Sequence, residues 1–429
     1  MRLWKKKALS VILAAAFCFT ASSCRQLTNM IGDNVSEEQH KEISRPVVLG
    51  FSWWGNEIRS DYTIRGINEY EQREPGVDIR PTASDFTGYK ENLDSLIVCR
   101  KEPDIMVINS AWLPEYSPDG EGFCNLYDYA DKIDLSNFSE TELSYGTVNG
   151  KLNALPVSLN AVTFYYNRYL LNGYGLSVPK TWDDLFACAE ELSKHDIYTL
   201  GSTGRHYWKM LIAHEEQISG KEAFSADGFG VQNVVSMMEF YKQLLDRGVI
   251  MRKDFDRSDF IDGRTAGALL WVSDAQYNIS PITEKGGTAV IGTYLTTEAP
   301  QRFGWYVKPT NLYAISKYSE NPAEAASFLN YLMNDSRMAE LQGTEKGVPL
   351  SKSALETLEA KNLLRGVPYQ ASQMIEQNAA KLELMPAKME DLDMVNCFFE
   401  QFDLYYYGQK TVTSAAYGFL DKYSFITYR

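Results

Sequence analysis

The sequence of 429 residues is poor in the side chains on which most metalloenzymes and nucleophilic enzymes depend. It has four histidines and six cysteines, with no HExxH pair, no clustered metal-ligand spacing and no grouping of cysteine with histidine. The GxSxG nucleophile motif and the phosphate-binding P-loop are also missing. Acidic residues are too numerous for any one carboxylate pair to indicate a glycosidase. We therefore expect no catalytic residues, no bound metal and no cofactor.

Long apolar runs and positive charge are also scarce. The apolar segment Ala8–Phe19 is far shorter than the ~20 residues that cross a bilayer, and no later run reaches ~18. The formal charge is −14, and four of the 42 basic residues lie in Met1–Lys7, so the rest of the chain is more acidic still. An acidic surface repels phosphate backbones, which argues against a nucleic-acid partner.

The first 45 residues have the composition of an export signal followed by a polar linker. Met1–Lys7 is basic, Ala8–Phe19 is apolar, and the small residues Ala21-Ser22-Ser23 precede Cys24. This order resembles a bacterial lipoprotein signal, although Ala21 stands where leucine is usual. It implies a signal peptide over residues 1–23, then a lipidated Cys24 and a flexible tether over residues 24–45. The alternative is an ordinary secretory signal with an incidental cysteine.

From Pro46 onward, strand patterns alternate with helix patterns. Strands are predicted at 46–51, 77–80, 104–109, 162–167, 197–200 and 267–270. Helices are predicted at 61–73, 89–100 and 232–247, from Pro322, and from Trp182, where Thr181 and Asp184 suit a capping box. Such alternation is typical of parallel sheets covered by helices, so the predicted fold class is α/β. Four cysteines follow the linker, and their pairing stays open, although Cys188 suits a buried free thiol.

The most specific pattern lies in residues 150–192. There GKLNALPVSLNAVTFYYNRYLL is followed by PKTWDDLFACAEEL. Further matching segments are YKENLDSLIVCRKEPDIMVI at 89–108, IDGRTAGALLW at 261–271 and GVPL at 347–350. In this order the segments resemble the extracellular solute-binding lipoproteins of carbohydrate ABC transporters, in the maltose-binding-protein-like group.

The resemblance implies a two-lobed periplasmic-binding-protein-like fold, with hinge strands and a ligand cleft between the lobes. Crossings are expected near 156–160, 308–313 and 348–352. Lobe one would comprise residues 46–156 and 312–350, and lobe two residues 157–311 and 351–429. The implied function is a monomeric receptor, anchored by its lipid alone at the extracytoplasmic face of the cell membrane. It would capture a carbohydrate by hinge closure and deliver it to ABC permease subunits. Two alternatives stay open: a receptor of the same fold for a peptide or other non-sugar solute, and a surface glycoside hydrolase.

Candidate ligand-binding residues follow from the rule that ligands bind at the carboxyl ends of strands in open α/β sheets. A pyranose ring has an apolar face that packs on an indole, and its hydroxyls bind to carboxylates and amides. In lobe one, the residues after the predicted strands are Trp53, Trp54, Glu57, Asp85, Asn109, Ser110 and Trp112. At the first crossing and in lobe two, the candidates are Asn160, Arg205, Tyr207, Trp208, Trp271 and Asp274.

The sequence predicts different environments for the individual tryptophans. Trp112 and Trp271 are the preferred stacking residues, and we expect them to face each other across the cleft. Trp53 and Trp54 suit a packed core equally well, while Trp182 and Trp305 are expected to be core residues. His206 is expected to be a hydrogen-bonding side chain and not a base.

Overall fold

The computed structural model describes residues 46–252 and 255–425. The predicted signal peptide, Cys24 and the tether lie outside these residues. Within the described ranges, no helix is both long enough and apolar enough to cross a membrane.

The described residues form twelve strands. They are β1 Val47–Trp54, β2 Val77–Ser84, β3 Ile105–Ile108, β4 Thr147–Val148, β5 Lys151–Leu152, β6 Ala154–Pro156, β7 Leu159–Asn167, β8 Gly267–Trp271, β9 Ala289–Ile291, β10 Tyr306–Pro309, β11 Leu312–Ile315 and β12 Glu383–Leu384. The helices are α1 Glu57–Arg73, α2 Tyr89–Val98, α3 Leu113–Tyr116, α4 Glu140–Ser144, α5 Arg168–Gly173, α6 Trp182–Leu192, α7 Gly204–Ser219, α8 Val231–Asp246, α9 Arg257–Ile261, α10 Ala275–Glu284, α11 Pro322–Asn334, α12 Ser336–Gln342, α13 Lys352–Ala360, α14 Gly366–Gln377, α15 Leu392–Tyr406 and α16 Val412–Leu420.

Two main sheets define two lobes. The first has the strand order β2-β1-β3-β11-β6, and the second has the order β12-β10-β7-β8 with β9 beside β7. Strands β2 and β3 run parallel to β1, as the alternating pattern predicts, but β11 is antiparallel to both β3 and β6. In the second sheet β8, β9 and β10 are all antiparallel to β7. The α/β fold is therefore as expected, whereas the expected parallel arrangement holds only for β1 to β3 and for the short pair of β10 with β12.

Each sheet has its own hydrophobic core. In lobe one, Phe51 of β1 packs edge-on against Phe328 of α11, with ring centroids 5.6 Å apart. In lobe two, Trp305 packs against Trp182 at the start of α6, with centroids 6.2 Å apart. A fully buried apolar side chain of this kind contributes about 1.5–3 kcal/mol to stability. Separate cores allow each lobe to move as a unit.

Local signals account for several elements. The Thr181 hydroxyl accepts from the Asp184 N–H at 3.1 Å, and the Asp184 carboxylate accepts from the Thr181 N–H at 3.0 Å, which completes the predicted capping box. The predicted strand at 197–200 forms only single bridges, from Tyr198 to Thr265 and from Leu200 to Ile250, because it pairs too briefly to join the sheet. The cysteines that follow the linker are all free, and Cys188 is buried: they are Cys99, Cys124, Cys188 and Cys397.

Two crossings lie side by side between the lobes. The Val157 N–H donates to the Asn311 carbonyl oxygen at 3.1 Å, and the Thr310 N–H donates to the Ser158 carbonyl oxygen at 2.9 Å. The Ser158 hydroxyl also binds the Thr310 hydroxyl at 2.6 Å and donates to the carbonyl oxygen of Lys346. This hinge network ties three chain segments together at one point.

The third crossing lies later than the sequence predicts. Helix α13 packs against α11 and α12 of lobe one, and Lys361 just beyond it forms an ion pair with Glu340 at 3.1 Å. Helix α14 then packs against β7 of the second sheet. The predicted boundary between residues 350 and 351 is corrected accordingly, because the chain returns to lobe two between α13 and α14.

Candidate ligand-binding site between the lobes

A cavity of about 250 Å³ lies where the two lobes meet. Lobe one lines it with Ser110, Ala111, Leu113 and Pro114, which follow β3, and with Ser144, Tyr145, Thr147 and Val148. Lobe two lines it with Lys308 of β10 and with residues between 384 and 390. The turns Ser110–Trp112 and Ala387–Glu390 are in contact, so the lobes touch at this point. A larger cavity of about 400 Å³ beside α6 and α8 lies within lobe two alone. A ligand there would not contact both lobes and so would give no direct reason for the lobes to close.

The wall of lobe one near this cavity carries an aromatic cluster of Trp54, Phe86, Tyr89 and Trp112. The Trp112 ring lies 5.4 Å from Trp54 and stacks at 6.1 Å on Phe86, measured between centroids. The structure brings together Trp54 and Trp112 from the sequence-based set. Phe86 was missed, although it directly follows Asp85, and its side chain is 54% exposed. Trp54 and Tyr89 are buried within the cluster and Trp112 is partly buried, so Phe86 and Trp112 are the rings that can pack against the apolar side of a sugar.

The wall of lobe two carries a cationic cluster of Trp271, Lys209, Lys308 and Glu390. The ammonium nitrogens of Lys308 and Lys209 lie 4.8 and 5.1 Å from the centroid of the Trp271 ring. These are distances at which an ammonium group is attracted to an indole. Glu390 binds Lys308 directly and lies 3.8 Å from Lys209. The two lysine side chains are only 5% and 11% exposed, for Lys209 and Lys308 respectively.

The charged groups of this cluster shift one another's pKa values. Burial lowers the pKa of Lys209 to about 8; Glu390 opposes this shift, while Lys308 and Arg205 add to it. Burial alone would raise the pKa of Glu390, but the charges of Lys308 and Lys209 hold it below its usual value. The carboxylate is therefore ionised at neutral pH, and Lys209 keeps most of its charge.

His206 forms the edge of the same cluster. Its ring lies 5.6 Å from Trp271 in an edge-to-face arrangement, and its Nδ1 is 3.0 Å from the Ser202 hydroxyl. Burial, reinforced by the charges of Lys209 and Arg205, lowers its pKa to about 3. The imidazole is therefore neutral at physiological pH and holds the indole in place, in keeping with the expected hydrogen-bonding role.

The other polar candidates occupy different positions. Asn160 is buried on β7 opposite Lys308, where its amide donates to the Ser273 hydroxyl at 3.1 Å and accepts from the Ser273 N–H at 3.1 Å. Asn109 accepts from the Ala111 N–H at 3.0 Å and so shapes the turn that carries Ser110. Three charged candidates are exposed: Glu57 at the start of α1, Asp85 after β2, and Arg205 in α7. The side chain of Asp274 lies outside the described part of the chain.

Three aromatic candidates require correction. Trp53 is fully buried against Phe51, 5.0 Å away between centroids, because its position on β1 points into the core of lobe one. Trp208 is fully buried against Phe425, and the hydroxyl of Tyr207 donates to the carbonyl oxygen of Leu200 at 3.4 Å. Neither residue of α7 has a free face for a ligand. Trp182 and Trp305 are buried, as expected.

Sequence reasoning also missed Lys209, Lys308 and Glu390. Lys308 lies in the predicted crossing at 308–313, and a lysine on a hinge strand was a usable signal. Lys209 lies one residue beyond the candidates Arg205 to Trp208, on the same helix. Glu390 had no local signal, since it reaches Lys308 from a turn far along the chain.

The fold and the interlobe cavity define a two-lobed solute-binding protein. The profile of the bacterial extracellular solute-binding protein family matches residues 67–393, and the chain belongs to this family. This confirms the resemblance seen in the sequence and places the protein outside the cytoplasm. A maltodextrin-binding protein of Bacillus subtilis is 25% identical over 242 residues, covering 51% of this chain and 54% of the relative.

Solved structures share the fold over most of the chain. A periplasmic solute-binding protein from Pectobacterium atrosepticum has a TM-score of 0.81 and 26% identity, covering 88% of this chain and 97% of the other. A periplasmic oligogalacturonide-binding protein from Yersinia enterocolitica, in complex with saturated digalacturonic acid, has a TM-score of 0.77 and 28% identity with the same coverage. A designed cysteine esterase also shares the fold, with a TM-score of 0.79 and 26% identity. The fold alone therefore does not decide whether catalysis occurs.

Proposed function

We propose that the protein is a carbohydrate receptor of an ABC importer, acting as a monomer without catalysis. The observation that carries this proposal is the composition of the interlobe cavity. Lys308 and Glu390 line it on lobe two, in contact with the Trp271 ring and with Lys209, and on lobe one its lining residues Ala111 and Leu113 flank Trp112 of the aromatic cluster. Rings for the apolar face of a sugar and charged groups for its hydroxyls are the two features that carbohydrate binding requires. The names of the Bacillus and Yersinia proteins support the same ligand class.

Binding would be coupled to closure through the hinge network. A ligand shifts a conformational equilibrium only by its differential affinity for the two states, so it must contact both lobes in the closed form. Ser110 lines the cavity from lobe one and Lys308 lines it from lobe two. The crossings at Ser158 and Thr310 are short and hydrogen-bonded to each other, which suits a rotation of the lobes about one point. The closed receptor would then deliver its sugar to the permease subunits.

A ligand panel tests the receptor proposal. We expect at least one monosaccharide or short oligosaccharide to raise the melting temperature of the purified protein, and to be recovered intact after incubation. Ligand at 100 times its Kd adds about 2.7 kcal/mol to the free energy of unfolding, which a thermal shift assay detects readily. Stabilisation by peptides alone would favour the non-sugar receptor. Sugar release that survives repurification and scales with protein concentration would favour the glycoside hydrolase.

Anchoring is a separate part of the proposal. We propose that Cys24 carries the lipid that holds the protein at the extracytoplasmic face of the cell membrane. The variant Cys24→Ser should appear in the soluble fraction or accumulate as an uncleaved precursor, as judged by fractionation and mass spectrometry. Replacing the free thiol Cys99, which is exposed in the folded part, is the matched control and should leave the protein on the membrane. A Cys24→Ser protein that is processed and membrane-bound like its parent would contradict the anchor.

A further inference from the structure

The cationic cluster holds more positive charge than its own residues neutralise. Among the side chains that the structure describes, Glu390 is the one carboxylate within 4.0 Å of the ammonium nitrogen of Lys209 or Lys308. One negative charge thus faces two positive charges, both on side chains that are at least 89% buried. Arg205 in α7 adds a third positive charge close enough to lower the pKa of Lys209.

This excess of positive charge is unusual in a chain that is acidic overall. The chain as a whole carries a formal charge of −14, so a local surplus of cations cannot be attributed to a generally basic surface. Removing an ammonium group from water is energetically costly unless an anion compensates its charge. The attraction of both ammonium groups to the Trp271 ring offsets only part of that cost, because a cation–π contact is weaker than the hydration that a buried ammonium group loses.

The position of Lys308 shows where compensation would come from. Lys308 lines the interlobe cavity together with Glu390, and the opposite wall offers Ser110 and Tyr145 without an acidic side chain. An anionic group entering the cavity would therefore meet an ammonium group on one side and hydrogen-bonding groups on the other. A neutral ligand would leave the surplus charge uncompensated.

We propose that the ligand is an acidic carbohydrate, whose carboxylate binds Lys308 in the cavity between the lobes, with Lys209 adding positive charge behind it. This inference rests on the proposed carbohydrate receptor and narrows its ligand to sugars that carry a carboxylate, such as uronic acids. The carboxylate joins the two ammonium groups as a second anion beside Glu390. The sugar ring lies toward the aromatic cluster of lobe one. A charge-assisted hydrogen bond is about twice as strong as a neutral one, so the acidic group dominates selectivity.

Matched pairs of acidic and neutral sugars test the inference. Titration calorimetry of the parent protein would compare digalacturonic acid with galactobiose, and glucuronic acid disaccharides with their glucose counterparts. We expect the acidic member of the bound pair to bind at least about 10-fold more tightly. Lys308→Met keeps the length and apolar stem of the side chain without its charge, and should weaken the acidic sugar about 10- to 100-fold. The same variant should change the affinity for the neutral counterpart less than about 3-fold.

Lys285→Met is the control variant. Lys285 lies on the surface of lobe two, where its ammonium group pairs with Asp262 at 2.6 Å. Lys285→Met changes the net charge by the same amount as Lys308→Met, but it should leave the affinities for the acidic and the neutral sugar as in the parent. Melting curves of the three proteins would show that all are folded.

The outcomes separate the two proposals. Neutral sugars that bind as tightly as their acidic partners, or a Lys308→Met variant that weakens both equally, would overturn the acidic ligand and leave the carbohydrate receptor standing. Folded protein that binds no member of either group would overturn both proposals.

Discussion

Replacing Trp182 with alanine should lower the stability of lobe two without changing ligand binding. The Trp182 ring is buried at the start of α6, where it packs against Phe240 and Trp305 with centroids 5.5 and 6.2 Å away. Its Nε1–H donates to the Gln217 side-chain oxygen at 2.7 Å. Gln217 also accepts from the Thr297 N–H at 3.1 Å, so that oxygen would keep a partner in the variant.

The magnitude follows from these contacts. Truncating a buried tryptophan to alanine costs about 3–5 kcal/mol. Trp182 also lines the cavity of about 400 Å³ in lobe two, so part of its surroundings is already unfilled. Because the acceptor of its hydrogen bond stays satisfied as well, we expect the lower end, about 3 kcal/mol. In a chain of this size, such a loss lowers the melting temperature by roughly 3–6 °C.

Thermal unfolding and titration calorimetry on the same protein would check the prediction. Trp182→Phe is the graded control, because it keeps a ring in the core and removes only the hydrogen bond and part of the volume. It should melt between the parent and Trp182→Ala. The reasoning would be refuted by a Trp182→Ala protein that melts within 1 °C of the parent, or by one that is fully folded and no longer binds its sugar.

Three further predictions concern the site, the response to acid and the hinge. Trp271→Ala and Trp112→Ala should each weaken sugar binding by about 1–3 kcal/mol in calorimetry; parental affinity in both would show that the cleft is misplaced. The buried Nδ1 of His214 has no hydrogen-bond partner in the described structure, and burial lowers the pKa of this histidine to about 4. Because folding lowers this pKa, the parent protein loses stability as the pH falls below the unfolded value near 6.5. A phenylalanine does not titrate, so in denaturant titrations at pH 5 His214→Phe should gain about 2 kcal/mol of unfolding free energy over the parent. An equal gain at pH 8 would contradict this explanation. Gly347 has a φ of +90°, and a Cβ at this position would lie 2.6 Å from the hydroxyl oxygen of Ser158 in the hinge. Gly347→Ala should therefore lower the free energy of unfolding by about 1–3 kcal/mol in thermal unfolding. The control Gly76→Ala should cost little, because a Cβ at Gly76 would meet no atom within 4 Å.

Much of the fold could be predicted from local sequence because its signals lie within a few residues of one another. The capping box at Thr181 and the apolar positions of α6 need no knowledge of the rest of the chain. Strand direction is different. Whether β10 runs antiparallel to β7 depends on the pairing of Lys308 with Asn160, which no local pattern reports. The helix α13 was assigned to the wrong lobe for the same reason, since its partners α11 and α12 determine its place.

The residues of the candidate site show the same difference between local signals and contacts of distant segments. Trp112 could be placed near the cavity because it follows β3, and Trp54 could be placed beside it because it ends β1, the parallel neighbour of β3. The burial of Trp53 could have been predicted from the sequence. Leu49, Phe51 and Trp53 alternate along β1, and this alternation indicates that they share one buried face of the strand. In contrast, the contact of Glu390 with Lys308 joins two distant segments and becomes visible only in the folded chain.

The position of Lys308 links the charge of the site to the motion of the hinge. Lys308 pairs with Asn160 across β10 and β7, and the hydrogen-bonded crossing at Thr310 and Ser158 lies two residues away from each, just outside the two strands. A group that binds the Lys308 ammonium therefore acts on a strand that passes directly into the other lobe. The free energy of compensating this buried charge is gained only when the ligand occupies the interlobe cavity. Since a ligand can favour closure only through such differential contacts, the residue that selects the ligand is also placed to couple its binding to closure.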